Sequence, residues 1–234
     1  SMKNIFTFAA FLLPFALFSQ QKALTEEGKE VVLFDNGTWK FVNESDAKVL
    51  ETIVTNNDVF EKTKTASFLM KSKKMDVGVY FDPKKWKLAT QNISPHVEYF
   101  FAERNSNDGY FGFMITEKVQ IATLKNLKDL IIENVNRNVD YFRLKESEYR
   151  TVNGMKVLYI RYAANTKGMD FEYAGNYSIN SDGYAGVVGF ASQKVFEQSF
   201  GAVQELINGI SVTPKEDVKE TVEYKSPPPP MISK

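Results

Sequence analysis

Residues 184 to 191 constrain the fold more than any other stretch of the chain. Written as a strand, they place Tyr184, Gly186, Val188 and Phe190 on one face and Ala185, Val187, Gly189 and Ala191 on the other. Both faces are apolar. A strand of that kind belongs in the middle of a sheet covered on each side, and its small residues let a helix approach closely. It closes a meander of long strands over 155–166, 169–180 and 184–192, joined by Lys167-Gly168 and by Ser181-Asp182-Gly183. A strand at 141–151 leads into them through Asn153-Gly154.

Shorter alternating segments at 67–71, 76–81, 97–103 and 110–119 supply the other strands. Leu124, Leu127, Ile131 and Val135 recur at three- and four-residue steps, which sets them on one face of a helix over 123–138 that Thr123 caps. Phe196, Phe200, Val203 and Ile207 form a second stripe, with Ser192 as N-cap and Asn208-Gly209 as terminator. The fold class that follows is α+β: a three-layer α/β/α sandwich with helices flanking a mostly antiparallel sheet.

The ends of the chain read differently. Lys3, an apolar run from Ile5 to Phe18 and the Ser19-Gln20-Gln21 junction have the form of an export signal over residues 1–20, too short to span a bilayer. The sequence therefore predicts a protein outside the cytoplasm, periplasmic or extracellular. Residues 21–62 read as a β-hairpin, 31–34 with 38–42 about an Asn36-Gly37 turn, followed by a polar linker. A two-stranded hairpin is marginal alone, so it must pack on the main domain, residues 63–213, or on a partner. Residues 214–234 read as a disordered tail in which Pro227 to Pro230 favour an extended polyproline conformation.

With 29 Lys and Arg against 29 Asp and Glu, the chain offers no electrostatic footprint for nucleic acid. It has no Cys, hence no disulfide, no thiolate nucleophile and no cysteine metal site. His96 is the only histidine, in a loop after Pro95, so neither a zinc site nor a Ser-His-Asp arrangement can be assembled from it. Asp170 and Glu172 share a strand face and would suit acid/base work only in an apolar pocket; a solvated polar face is the simpler account. Asn180 to Gly183 is a turn without EF-hand spacing, and no GxGxxG or Walker loop is present. Asn36, Asn43, Asn92 and Asn176 head sequons, short motifs that arise by chance and that a bacterial source would leave unmodified. The reading is therefore of a chain with no catalytic, cofactor-binding or metal-binding residues and no cofactor.

The segment Phe81-Asp82-Pro83-Lys84-Lys85-Trp86 resembles the entry motif of the PsbP-like family, whose α/β/α sandwich is shared by the Ran-binding Mog proteins. The order of elements to the C-terminal Leu206-Ile207-Asn208-Gly209-Ile210 is similar too, so the resemblance spans residues 65 to 212. It implies an accessory or assembly factor rather than an enzyme. The manganese and calcium role of photosystem members maps onto no residue of this chain. The Glu30 to Phe41 stretch is similar to a short hairpin at the start of exported Bacteroidota proteins, which implies a Gram-negative envelope.

Aromatic residues are the remaining positive feature. Tyr99, Phe100 and Phe101 abut in one strand, Tyr110, Phe111 and Phe113 fall in the next, and Phe171, Tyr173 and Tyr177 share one face. Where helices leave a sheet face open, such rings make a contact patch. The sequence thus points to a non-catalytic envelope protein binding another exported or outer-membrane protein, or else to a carrier of a small apolar ligand in an aromatic-lined pocket.

Overall fold

The computed structural model describes residues 21–25, 28–34, 39–42, 49, 52–90, 93–105 and 109–216. The segments read as an export signal and as the Asn36-Gly37 turn, most of 43–51 and residues 217–234 lie outside the described residues.

Eight strands form the central sheet: β4 (Val54–Phe60), β7 (Trp86–Ala89), β8 (Val97–Glu103), β9 (Tyr110–Glu117), β10 (Tyr141–Val152), β11 (Met155–Thr166), β12 (Met169–Asn180) and β13 (Gly183–Ser192). Their spatial order is β4-β10-β11-β12-β13-β9-β8-β7. Every pairing is antiparallel except β4 with β10. A smaller sheet holds β5 (Phe68–Lys71), β6 (Gly78–Phe81) and β14 (Ile210–Ser211), with β6 in the middle. The N-terminal segment forms a third sheet from β1 (Gln21–Leu24), β2 (Glu30–Leu33) and β3 (Trp39–Phe41). Two helices, α1 (Leu124–Asn136) and α2 (Gln193–Ile207), lie on opposite faces of the central sheet. This is an α+β three-layer sandwich around a mostly antiparallel sheet.

Strand β13 sits between β12 and β9, and eight of its ten residues are buried. On one face, Ala185, Val187 and Ala191 join Phe196, Val203 and Leu206 of α2 in the larger core, together with Met75, Val79 and Phe81 of the small-sheet layer. On the other, Tyr184 and Val188 join Leu127 and Ile131 of α1 in the second core. The hairpin turns are as the sequence predicts: Asn153-Gly154 and Lys167-Gly168 both take positive φ, as two-residue β-turns with strand-matching twist require. Thr123 caps α1, its side chain accepting from the Asn126 N–H at 3.1 Å.

Ser192 stands at the N-cap of α2 but makes no side-chain capping bond. Gly209, read with Asn208 as the terminator, does not take a positive φ and is needed for another reason. A Cβ there would fall 1.9 Å from the Tyr80 carbonyl oxygen, because the chain leaving α2 crosses β6 directly. The Tyr80 N–H donates to the Gly209 carbonyl at 2.9 Å across that crossing.

Residues 54–60, read as linker, form the edge strand β4 instead. Val54 and Val59 are 59% and 71% exposed, so the strand is held mainly by its ladder to β10 and shows no buried alternation for a periodicity argument to find. Strands β1, β7 and β14 were likewise unmarked; each has four residues or fewer.

In the Pro-x-x-Trp segment, the Asp82 carbonyl accepts from the Lys85 and Trp86 N–H groups at 3.1 and 2.9 Å, and the Asp82 carboxylate accepts from the Lys84 N–H at 2.8 Å. That turn drives Trp86, 1% exposed, into the larger core against the Tyr110 ring at 5.2 Å. Chemical denaturation should show Trp86→Ala to cost about 3–5 kcal/mol, and Gly189→Val, which crowds α2, about 1–3 kcal/mol.

Candidate functional site

The two helices cover the central sheet unequally. Helix α2 packs on β13, β12 and β9, over the middle of one face, whereas α1 packs chiefly on β10 and β11, toward one side of the other. The half of the α1 face built from β8, β9, β13 and the start of β12 carries aromatic rings in neighbouring registers. Phe100 pairs with Phe113, Phe111 with Phe190, and Phe190 with Tyr173. Because paired residues project to the same side, these rings form one surface.

Phe190 is the hub of that surface. Its ring lies 5.2 Å from Tyr173, 5.6 Å from Phe111, 6.0 Å from Phe113, 6.1 Å from Phe171 and 6.3 Å from Phe100. Phe100 is buried beneath, while Phe111, Phe113, Phe171, Tyr173 and Phe190 are only half-buried. Tyr173 stacks on Tyr162 at 4.9 Å with planes 10° apart, which ties the open half of the face to the covered half. Their neighbours in sequence point the other way: Phe101 is fully buried, and Tyr110 lies against Trp86.

The N-terminal sheet docks at the opposite side of the molecule, on the start of β10. Gly28, at φ +73°, lies so close to the Phe142 backbone that no side chain would fit. Lys29 is fully buried and donates from Nζ to the Leu144 carbonyl, at the bulge where β10 slips register against β11. Sequence reasoning gave no reason to single out Lys29, since a lysine beside Glu30 reads as a solvated pair. A cleft of about 440 Å³ borders this junction, lined by Leu24, Glu133, Asn136, Arg137, Asp140 and Tyr141 among others.

The two carboxylates weighed as an acid/base pair part company. Asp170 is exposed and accepts from the Asn165 side-chain amide at 2.7 Å. Glu172, 3% exposed, is not on a solvated face: its Oε1 accepts from Arg161 Nε at 2.6 Å and Lys145 Nζ at 3.0 Å. Arg161 also pairs with Glu197 and lies over the Phe196 and Phe200 rings of α2 at 5.0 and 4.6 Å. The group fastens α2 to β11 and β12 and holds no vacant carboxylate. Across the sheet, the Arg150 guanidinium rests 3.5 Å from the centre of the Tyr159 ring and 4.6 Å from that of Phe60, pinning β4 to the sheet.

His96 is exposed, and its carbonyl accepts from the Thr116 N–H at 2.9 Å. Asn180 Oδ1 accepts from the Asp182 and Gly183 N–H groups at 2.8 and 3.2 Å, closing the turn on itself. Asn176 is fully buried, donating to the Ile207 carbonyl at 3.1 Å, so its sequon is closed to modification in the folded chain. Among the described residues there is no group of three His, Cys, Asp or Glu able to hold a metal ion, and no helix long and apolar enough to cross a membrane. Further clefts of about 570 and 210 Å³ lie along β4 and β10; neither they nor the first are lined by rings of the aromatic face.

No family model matches the chain, and no curated protein matches it. Among solved structures, it shows a distant likeness to the cyanobacterial PsbP, CyanoP, from Synechocystis sp. PCC 6803, with 12% identity over 64% of this chain and 94% of that one and a TM-score of 0.46. A putative regulator from Pseudomonas aeruginosa, of unknown function, gives 8% identity over 58% and 91% with a TM-score of 0.37. LpqN of Mycobacterium tuberculosis, involved in cell envelope biogenesis, gives 10% identity over 70% and 90% with a TM-score of 0.33. Identities this low carry no activity from one chain to another.

Thermal and chemical unfolding should separate the two carboxylates: Glu172→Ala removes the buried acceptor shared by the partly covered Arg161 and the exposed Lys145 and costs about 1.5–3 kcal/mol, whereas Asp170→Ala stays within about 0.5 kcal/mol. Burial pushes the Tyr159, Tyr162, Tyr177 and Tyr184 hydroxyls up, and for Tyr184 the 2.8 Å bond to Glu117 adds to the rise. Unfolded tyrosines ionise near pH ~10, so above that pH the folded chain keeps protons that the unfolded chain releases. The tyrosine contribution to stability is thus intact below pH ~10 and lost as pH climbs further. Burial lowers the Lys128 amine, which raises stability only as pH approaches the unfolded lysine value of about 10.4 and so does not offset the loss above it. Circular dichroism against pH should record alkaline unfolding, starting at higher pH in Tyr177→Phe.

Proposed function

We propose that this chain is an exported, non-catalytic binding module of a Gram-negative envelope, whose aromatic sheet face docks another exported or outer-membrane protein. One observation carries the reading: five half-buried rings gathered about Phe190 on the part of the sheet that α1 leaves open. Aromatic side chains supply large contact area at low entropic cost and are enriched at protein interfaces. The groups best suited to chemistry are engaged elsewhere, Glu172 in fastening α2 and Lys29 in seating the N-terminal sheet.

The export signal over residues 1–20, and the resemblance of residues 65–212 to PsbP-like proteins and of the N-terminal segment to exported Bacteroidota hairpins, support an extracytoplasmic accessory role. The proposed division remains residues 21–62 and 63–213, with strand β4 of the first segment pairing with β10 of the second. A photo-crosslinking residue at Ala102, half-buried opposite Phe111, should yield a discrete adduct with one envelope protein in the native host, and one at Lys125, exposed on α1, should not. Recovery of monomer alone from both positions would refute the assignment.

A further inference from the structure

Strand β4 does not run evenly along β10. Thr55 stands opposite Tyr149 and Val59 opposite Thr151, so the stretch from Thr55 to Val59 answers only Tyr149 to Thr151 and residues 56–58 bulge out of the ladder. Asn56 holds the bulge, its Oδ1 accepting from the Asp58 N–H at 2.9 Å and its Nδ2 donating to Glu148 Oε2 at 3.1 Å. Bulges re-aim side chains and are over-represented at sheet edges and beside functional sites. Tyr149 pairs with Leu158, a member of the core under α1, and Thr151 pairs with Lys156. Thr55, Tyr149, Thr151 and Lys156 therefore project to the α1 side of the sheet. There they line the cleft of about 570 Å³, with Asn57 from the bulge and Thr123 from the start of α1.

The polar groups of this wall do not serve the fold. Among the described residues, the side chains of Thr55, Asn57, Tyr149, Thr151 and Lys156 make no hydrogen bond, ion pair or ring contact, whereas Glu172, Arg161 and Arg150 are engaged as fasteners. The volume falls within the range of small-ligand sites, roughly 300–1,000 Å³. We propose that the cleft binds a saccharide that carries a carboxylate. The threonine hydroxyls and the Asn57 amide can each donate and accept, which matches a ligand rich in hydroxyl groups. The half-buried Tyr149 ring supplies an apolar plate with a polar tip for the C–H face of a sugar ring. Lys156, exposed on β11 at the margin of the cleft, is a cation placed to meet the carboxylate. The site belongs to the β4 edge of the sheet, away from β8 and β9, so it does not depend on the docking role given to the rings around Phe190.

N-acetylmuramic acid and N-acetylglucosamine are suitable probes, since the first is the second with a lactyl carboxylate added. Heteronuclear NMR spectra of the full chain titrated with N-acetylmuramic acid should show saturable shifts at the amides of Thr55, Asn57, Tyr149, Thr151 and Lys156. N-acetylglucosamine should bind about threefold more weakly, the worth of one exposed ion pair. Lys156→Gln, a change at an exposed position, should bring the two affinities together, and Tyr149→Leu, which keeps apolar bulk but removes the ring, should weaken both about fivefold. Absence of saturable shifts, or shifts confined to residues outside the cleft, would overturn the proposal. Equal affinity for the two sugars in the unaltered chain would overturn it as well, because the carboxylate would then have no partner at Lys156.

Discussion

The sandwich depends on one close approach, that of α2 to the paired strands β9 and β13. Gly112 and Gly189 face each other across that pair. A Cβ at Gly112 would lie 2.3 Å from Leu206 Cδ2, and one at Gly189 would lie 2.6 Å from Val203 Cγ1. The two glycines form a trough into which the helix lowers its leucine and valine. Each fully buried apolar side chain on α2 contributes about 1.5–3 kcal/mol, and with larger residues in the trough that contribution would be replaced by overlap. The exit from the helix follows from its depth, since Gly209 then crosses the Tyr80 backbone and leads β14 onto β6. A second helix, a small sheet and the larger core are thus joined through one contact.

The opposite face is organised by a different device. Gly186 is paired with Tyr177, whose ring occupies the space a side chain would need, 2.4 Å from the Cβ position. Aromatic rings there fill the sheet surface from within, while α1 lies to one side. The uneven cover leaves the rings around Phe190 half in solvent. A sheet covered by two well-centred helices would have hidden the same residues entirely, and the chain would present no apolar surface of that kind. The position of α1 relative to α2, rather than the aromatic content, creates the candidate site.

Ionisable groups reinforce these placements. Glu172, Arg161 and Lys145 secure α2 from below, and Arg150 holds β4 through two rings. Lys128 reaches from α1 to the Val49 and Thr52 carbonyls at 3.2 and 3.4 Å, so the helix is tied to the segment that leads into β4. Charges in a sequence of this composition look like solvated surface, yet several of these act as fasteners between elements.

The sequence by itself determined the long meander, both helices with their apolar stripes and the two positive-φ turns, because each rests on short-range periodicity or on a residue type that a local conformation demands. Edge strand β4 was illegible because ladder hydrogen bonds belong to the backbone and leave no trace in side-chain pattern. The aromatic residues were visible as such, but whether a ring faced a helix or solvent was not, since alternation assigns faces and says nothing about how far a helix extends across them. The fates of Asp170 and Glu172 were undecided for the same reason: they share a strand face and differ in the elements that pack over it. Local chemistry fixed which elements form. Only the tertiary structure decided where α1 and α2 come to rest on the sheet, because that depends on contacts between residues far apart in the chain.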